Sequence, residues 1–222
     1  MTNNNLNIGS GIFTAAEISK ILKLPYRRIN RWINLYCENG MILFEYSNSS
    51  FNKLKVKAVN FHTLIELQVM SELSEAGIST NKIAKAKNML SKLYNTPFPF
   101  ANKEILENLR VNGNKIYFDE KGDVFVIDDK LQFSLEFIKS FIHNIEFDTN
   151  MLARKYMPLG KSKSIIVDPT RQFGHPVVGD TNIYPETFFN LYNSGESIEF
   201  IASLYNVDKK AIEDALEYCQ VA

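Results

Sequence analysis

Apolar positions along the chain follow two periodicities, and the switches between them divide it into segments. After an Asn- and Gly-rich start over residues 1–11, expected to fray, Thr14-Ala15-Ala16-Glu17 forms a Thr-x-x-Glu capping box. In that motif hydroxyl and carboxylate satisfy two helix N–H groups reciprocally. Ala15, Ile18 and Leu22 then recur at helical spacing and share a face. Leu24-Pro25 closes this helix, since proline suits a turn or the first position of the next. A second helix is expected over Tyr26–Tyr36, with Ile29, Trp32, Ile33 and Tyr36 inward and Glu38-Asn39-Gly40 as its stop.

The period then changes to two. Residues 42–46 and 53–57 flank the polar Ser47-Asn48-Ser49-Ser50, and the second run alternates strictly, Leu54 and Val56 against Lys53, Lys55 and Lys57. That is the signature of a β-hairpin with one wet face. Helical spacing returns at Asn60, where Phe61, Leu64, Ile65, Leu67, Val69, Met70 and Leu73 make an apolar face wide enough to require burial on several sides. Ala76-Gly77-Ile78-Ser79 turns the chain into a fourth helix with an Ile83, Ala86, Leu90, Leu93 seam, suited to another helix of its own domain or to a second copy.

Thr96-Pro97-Phe98-Pro99-Phe100 interrupts the pattern and reads as a linker. Asn112-Gly113 and Lys121-Gly122 mark turns between strands expected at 109–111, 115–118 and 124–127. A short helix over 135–142 and strands near 153–157 and 164–167 follow. The last forty residues read as three short helices, opened by Pro185-Glu186-Thr187, Ser197 and Asp208. Together these give an α+β fold: a mainly helical winged helix-turn-helix over 12–95, a small antiparallel sheet in a middle region over 96–163, and a C-terminal three-helix, helix-turn-helix-like unit over 164–222.

Charge changes this picture. The formal net charge is zero, but residues 1–60 hold eight basic residues against three acidic, a balance of +5. Residues 181–222 hold seven acidic residues against two basic, a balance of −5. A chain polarised in this way presents surfaces for different partners, the basic end for phosphate. In a helix-turn-helix the second helix enters the major groove. With Ile29, Trp32 and Ile33 inward, its outward stripe is Arg27, Asn30 or Arg31, and Asn34. Arginine pairs with guanine O6 and N7, and asparagine with adenine N6 and N7. Arg28, Lys20 and Lys23 are placed to meet phosphates, and Lys53, Lys55 and Lys57 to flank the groove as a wing. Edge protection by lysine is the plainer alternative for the hairpin.

Signals for other chemistry are sparse. His62, His143 and His175 stand apart from one another and from Cys37 and Cys219, so no metal site, disulfide framework or cofactor is expected. Phosphate loops, nucleophile elbows and dinucleotide fingerprints are missing, and no enzymatic activity is expected. Neither a signal-peptide pattern nor an apolar stretch of membrane-spanning length is evident, so the expected compartment is the cytoplasm, without a membrane partner.

Two resemblances follow from these residues. Phe13-Thr14-Ala15-Ala16-Glu17, Arg31-Trp32, the hairpin, and Phe61-His62-Thr63-Leu64-Ile65-Glu66-Leu67 leading to Ala76-Gly77-Ile78-Ser79 resemble the winged helix-turn-helix of MerR-like regulators. Ile166-Val167-Asp168-Pro169, Phe173-Gly174-His175-Pro176-Val177-Val178, Pro185-Glu186-Thr187 and residues 195–202 resemble the domain-of-unknown-function family 433. Both halves in this order are similar to VapB-type antitoxins. The resemblance implies an autoregulating antitoxin of a type II toxin–antitoxin pair, with operator DNA, a PIN-like ribonuclease toxin and a second copy of itself as partners. An arginine commonly precedes the Ile-x-Pro of that family, where this chain has Asn182. The rival expectation is a MerR-type ligand-sensing transcription factor whose middle sheet forms the effector pocket. On the antitoxin reading, the acidic C-terminal unit docks on a basic toxin surface through Phe188, Phe189, Leu191 and Tyr192, unless these are its own core. A cut near residue 160 is then expected to leave a DNA-binding fragment.

Overall fold

The computed structural model describes residues 8–36, 42–47, 53–112, 115–120, 123–126 and 141–220. Their fold is α+β, mostly helical, with small antiparallel sheets. Contacts gather it into two compact units, Met1–Phe61 with Lys155–Ala222, and His62–Arg154. This differs from three consecutive segments: the N-terminal helices share a unit with the C-terminal ones.

In the first unit, β1 (Phe13–Thr14) leads into α1 (Ala15–Leu22), then α2 (Tyr26–Tyr36), β2 (Ile42–Ser47) and β3 (Lys53–Val59). The strands form an antiparallel sheet in the order β1-β3-β2. Phe13 pairs with Val59, and β2 runs against β3 from Ile42↔Ala58 to Ser47↔Lys53. Phe13 is fully buried between two glycines. Gly11 and Gly174 stand at φ +71 and +92, and a Cβ on either would overlap the Phe13 ring. Positive φ and ring contact together demand glycine at both positions. The Ile12 N–H donates to the Phe173 carbonyl at 2.9 Å, so this end of the chain is built against the 172–175 turn.

The rest of that unit holds β9 (Ile165–Ile166), antiparallel to β10 (Val177–Val178), and the helices α6 (Pro185–Asn193), α7 (Ile198–Tyr205) and α8 (Lys209–Gln220). Its core is Ile165, Val178, Phe188, Ile201, Ile212, Ala215, Leu216 and Tyr218. Phe188 meets Tyr205 edge to face at 5.2 Å. Buried Asp214 anchors α8: its Oδ2 accepts the Ser164 N–H at 2.8 Å, and Lys163 Nζ lies 3.1 Å from Oδ1. Asp168 folds its own turn, accepting the Thr170 N–H at 2.9 Å and its hydroxyl at 2.6 Å. Arg171 donates to the Gly179 and Thr181 carbonyls and to Asn182 Oδ1, so an arginine from another position holds the loop into α6.

The second unit is built on α3 (Phe61–Glu75) and α4 (Thr80–Leu93), followed by a 3-10 turn (Pro99–Ala101) and α5 (Lys103–Asn108). A meander of β4 (Leu109–Asn112), β5 (Lys115–Glu120) and β6 (Asp123–Val126) follows, then β7 (Ile145–Phe147), paired with β8 (Ala153–Tyr156). The wide apolar face of α3 is buried as expected, and Glu66 is buried with it. Desolvation raises the Glu66 pKa; Lys87, at 2.6 Å, and the Phe100 N–H, at 3.3 Å, oppose that rise. Residues 96–100 are therefore no simple linker. Pro97 and Pro99 do break the helix, but Phe100 and Ala101 are fully buried, and Asn102 caps α5 by accepting the Ile105 N–H at 3.2 Å. Helix α5 has no counterpart among the elements expected from the sequence; β4 starts at Leu109, where the first strand was expected. The expected helix over 135–142 falls for the most part outside the described residues.

In the α4 seam, Ile83, Ala86 and Leu90 are fully buried within the chain, whereas Leu93 is 49% exposed. Of the two uses read from the sequence, the seam packs inside its own domain; Leu93 leaves it because the helix ends there.

Candidate nucleic-acid interface

Local signals fix α1 and α2 against each other. The Thr14 N–H donates to Glu17 Oε2 at 2.7 Å and the Glu17 N–H to Thr14 Oγ1 at 3.3 Å, completing the capping box. At the other end, the Leu24 N–H returns to the Ser19 carbonyl at 3.1 Å and the Ser19 hydroxyl donates to the Leu24 carbonyl at 2.6 Å. The Pro25 carbonyl accepts from Arg28 and Ile29 at 2.9 and 3.2 Å and starts α2. The turn is only three residues long, so the second helix leaves the first at an angle set by these few bonds.

Ile29, Trp32 and Ile33 are buried and turn the opposite face outward. Arg27, Arg31 and Asn34 are exposed along it, with Tyr26 at its start and Leu35 beside it. Asn30 is half-buried at the edge. Arg28 is half-buried too, its guanidinium 5.9 Å from the Trp32 ring, so it lies on the flank of α2 rather than on the outward stripe. Exposed Lys57 donates to Asn34 Oδ1 and brings the hairpin to the end of the stripe. Lys53, Lys55 and Lys57 occupy alternate positions of β3, opposite Ser47, Glu45 and Leu43. The side chains of Lys53 and Lys55 lie outside what the structure describes.

Of the flanking lysines, Lys20 is exposed on α1, as a phosphate contact requires. Lys23 is not placed for that role. Its Nζ donates to the Tyr218 carbonyl at 3.0 Å and sits 4.1 Å from the Tyr218 ring centroid, and desolvation lowers its pKa. Nothing near Lys23 in sequence signals this partner. Exposed Tyr26 also went unnoticed in the sequence, although the rotation that exposes Arg27 exposes its neighbour.

Of the four C-terminal apolar positions read either as docking surface or as core, three serve the unit's own core. Phe188 is 0% exposed, and Phe189 and Leu191 pack against the core. The large apolar side chains left outward on α6 and α7 are Tyr192, Phe200 and Leu204. Glu199 is paired with Lys209 at 2.7 Å and Glu217 with Lys163 at 2.6 Å, while Glu186, Glu196, Asp208 and Glu213 are exposed. Among the described residues, no cluster of three His, Cys, Asp or Glu side chains is arranged to hold a metal ion. No helix among them is long and apolar enough to cross a membrane.

The comparisons with known proteins bear on these two faces unequally. Residues 165–219 match the family described as "Protein of unknown function (DUF433)", which covers β9 through α8. Over nearly its whole length the chain is similar to "Uncharacterized protein Rv2308" of Mycobacterium tuberculosis (strain ATCC 25618 / H37Rv). The two are 20% identical over 217 residues, 93% of this chain and 89% of that protein. The crystal structure of Rv2018 from Mycobacterium tuberculosis shares the fold, with a TM-score of 0.67 at 17% identity, over 92% of this chain and 96% of that one.

Proposed function

We propose that the chain is a non-catalytic, cytoplasmic DNA-binding regulator, and that α1, α2 and the β2–β3 hairpin act as a MerR-like winged helix-turn-helix. The observation that carries this reading is the outward stripe of α2. Arg27, Arg31 and Asn34 recur at i, i+4 and i+7 on a helix whose other face is fully buried, and Lys57 of the hairpin meets the stripe at Asn34. Those side chains match base-edge readout in the major groove, with Lys20 and the hairpin lysines on phosphates. One such helix reads a short half-site, so two copies on a pseudo-palindromic operator complete the reading.

Within this reading the chain is the VapB-type antitoxin and autoregulator of a PIN-like ribonuclease. Support comes from the sequence resemblance and from the exposed acidic residues Glu186, Glu196, Asp208 and Glu213 of the C-terminal unit, which suit a basic, RNA-binding partner. Enrichment of duplexes from a randomised pool, followed by fluorescence anisotropy, tests the DNA half; if the full chain enriches no duplex, that half fails. Expression of the adjacent reading frame, alone and with this chain, tests the other half. A product harmless on its own removes the antitoxin role and favours the sensor alternative.

A further inference from the structure

Both ends of α1 are held by residues from the other end of the chain. At its start, Phe13 lies between Gly11 and Gly174, and Ile12 is bonded to Phe173. The capping-box carboxylate has a second neighbour there, His175 Nε2 at 3.5 Å from Glu17 Oε1. At its end, Lys23 is the C-cap and stands at φ 55, a left-handed conformation disfavoured for any residue with a Cβ. The bond it makes from there is well matched. The Tyr218 carbonyl lies in the last turn of α8, where carbonyls have no intrahelical partner and the helix end favours a cation. The Tyr218 ring, nearly buried, receives the ammonium face-on.

Resting on the DNA-binding reading, we propose that Lys23 is a positioning residue whose clamp on Tyr218 fixes the turn from α1 into α2, so that the C-terminal helical domain sets how α2 meets DNA. A phosphate role would need the ammonium in solvent; here it is spent on a carbonyl and a ring 195 residues away. Desolvation of Lys23, Tyr218 and Cys219 agrees with a closed contact. Any partner that shifts α8 then alters DNA affinity, and DNA alters affinity for that partner by the same factor.

The test compares the full chain with its Lys23→Met, Lys23→Arg and Tyr218→Leu variants on the duplex enriched by the parent. Methionine keeps the apolar stem and removes the cation. Expected for Lys23→Met is an affinity loss of about two- to thirtyfold, the range for substitutions that modulate coupling without touching ligand. The salt slope should be unchanged, and Lys23→Arg should recover most of the loss. A salt slope lowered by about 1 would make Lys23 a phosphate contact and overturn the proposal. Unchanged affinity in Lys23→Met would overturn it as well. Amide exchange in α2, read on the free proteins, is independent of DNA. Faster exchange at residues 29–33 in Lys23→Met and in Tyr218→Leu, with the global unfolding transition retained, supports the clamp; unaltered exchange in both removes it. If the parent enriches no duplex, the DNA-binding reading falls and the exchange data alone decide on the clamp.

Discussion

The α1–α2 and α7–α8 pairs are two copies of one backbone device with opposite surfaces. Each first helix has eight residues and is capped by a hydroxyl, Thr14 or Ser197, that accepts from the N–H three residues on. Each ends on a left-handed residue, Lys23 at φ 55 or Asn206 at φ 51. The next N–H then bonds back five residues, Leu24 to Ser19 and Val207 to Ala202, both at 3.1 Å. In each pair three residues separate the helices, and the second buries matching positions: Ile29, Trp32 and Ile33 in α2, Ile212, Ala215 and Leu216 in α8. The outward positions diverge. Where α2 has Arg27, Asn30, Arg31 and Asn34, α8 has Lys210, Glu213, Asp214 and Glu217, and Asp214 is turned inward onto Ser164. Two helices joined by a three-residue turn thus present one outer face, and the side chains on that face decide its chemistry.

The strongest challenge to this comparison is to separate the pairs. Residues 1–160 alone would lack Phe173 and Gly174 behind Phe13, and Tyr218 behind Lys23. Such a fragment should lose the protection of α1 and α2 in amide exchange and lose DNA binding. This reverses the expectation from sequence order that a cut near 160 leaves a working fragment, and a fragment that keeps both properties would make the pairs independent. The same cooperativity predicts that Phe188→Ala, within the C-terminal core, destabilises the whole first unit by about 3–5 kcal/mol in denaturant unfolding. Circular dichroism and Trp32 fluorescence should report one coincident transition.

A smaller effect bears on the outer faces. Arg27→Ala and Arg31→Ala should each weaken binding of an enriched duplex by about 1–3 kcal/mol and relax base preference, leaving thermal stability almost unchanged. The double variant binding as tightly as the parent would dissolve the contrast between α2 and α8. Lys57→Ala should weaken all sequences alike and lower the salt slope by about 1, measured by anisotropy across a salt series.

The smallest expected effect concerns the joint between the pairs. Burial first, then the Glu186 charge, pushes the Cys219 thiol up to about 11, with Lys23 opposing. An acid whose pKa is raised by folding contributes stability below its unfolded pKa, and that contribution is lost as pH climbs toward the folded value. The thiolate is the reactive form. Iodoacetamide labelling of Cys219, followed by peptide mass spectrometry, should therefore stay slow at pH 9 and accelerate only toward pH 11. Labelling at pH 9 as fast as that of an unfolded control would show that the joint is open.

The sequence by itself determined the two helix pairs, the β2–β3 hairpin and the buried faces of α2, α3 and α8. Each rests on signals within a few residues: a cap, a turn, a period of two or of 3.6. It also fixed the outer stripe of α2, because once Ile29, Trp32 and Ile33 are inward the rest of the helix has only one way to face. The likeness between the two pairs is legible in the sequence as a second helix-turn-helix-like unit but not as a repeat, since caps and core spacing carry it while the outer residues differ. Tertiary structure alone decided what depends on distant partners. Phe100 and Ala101 are core because Glu66 and α3 receive them, although the prolines beside them signal a linker. Phe188 is interior because Tyr205 and Ile212 close over it, although its segment could have been a docking surface. Lys23, one lysine among many in the basic end, became a clamp because a carbonyl in the last turn of α8 lies 3.0 Å from it. Helical period and capping are short-range properties of a chain, whereas the burial of a charge or an aromatic ring is settled only by what folds against it.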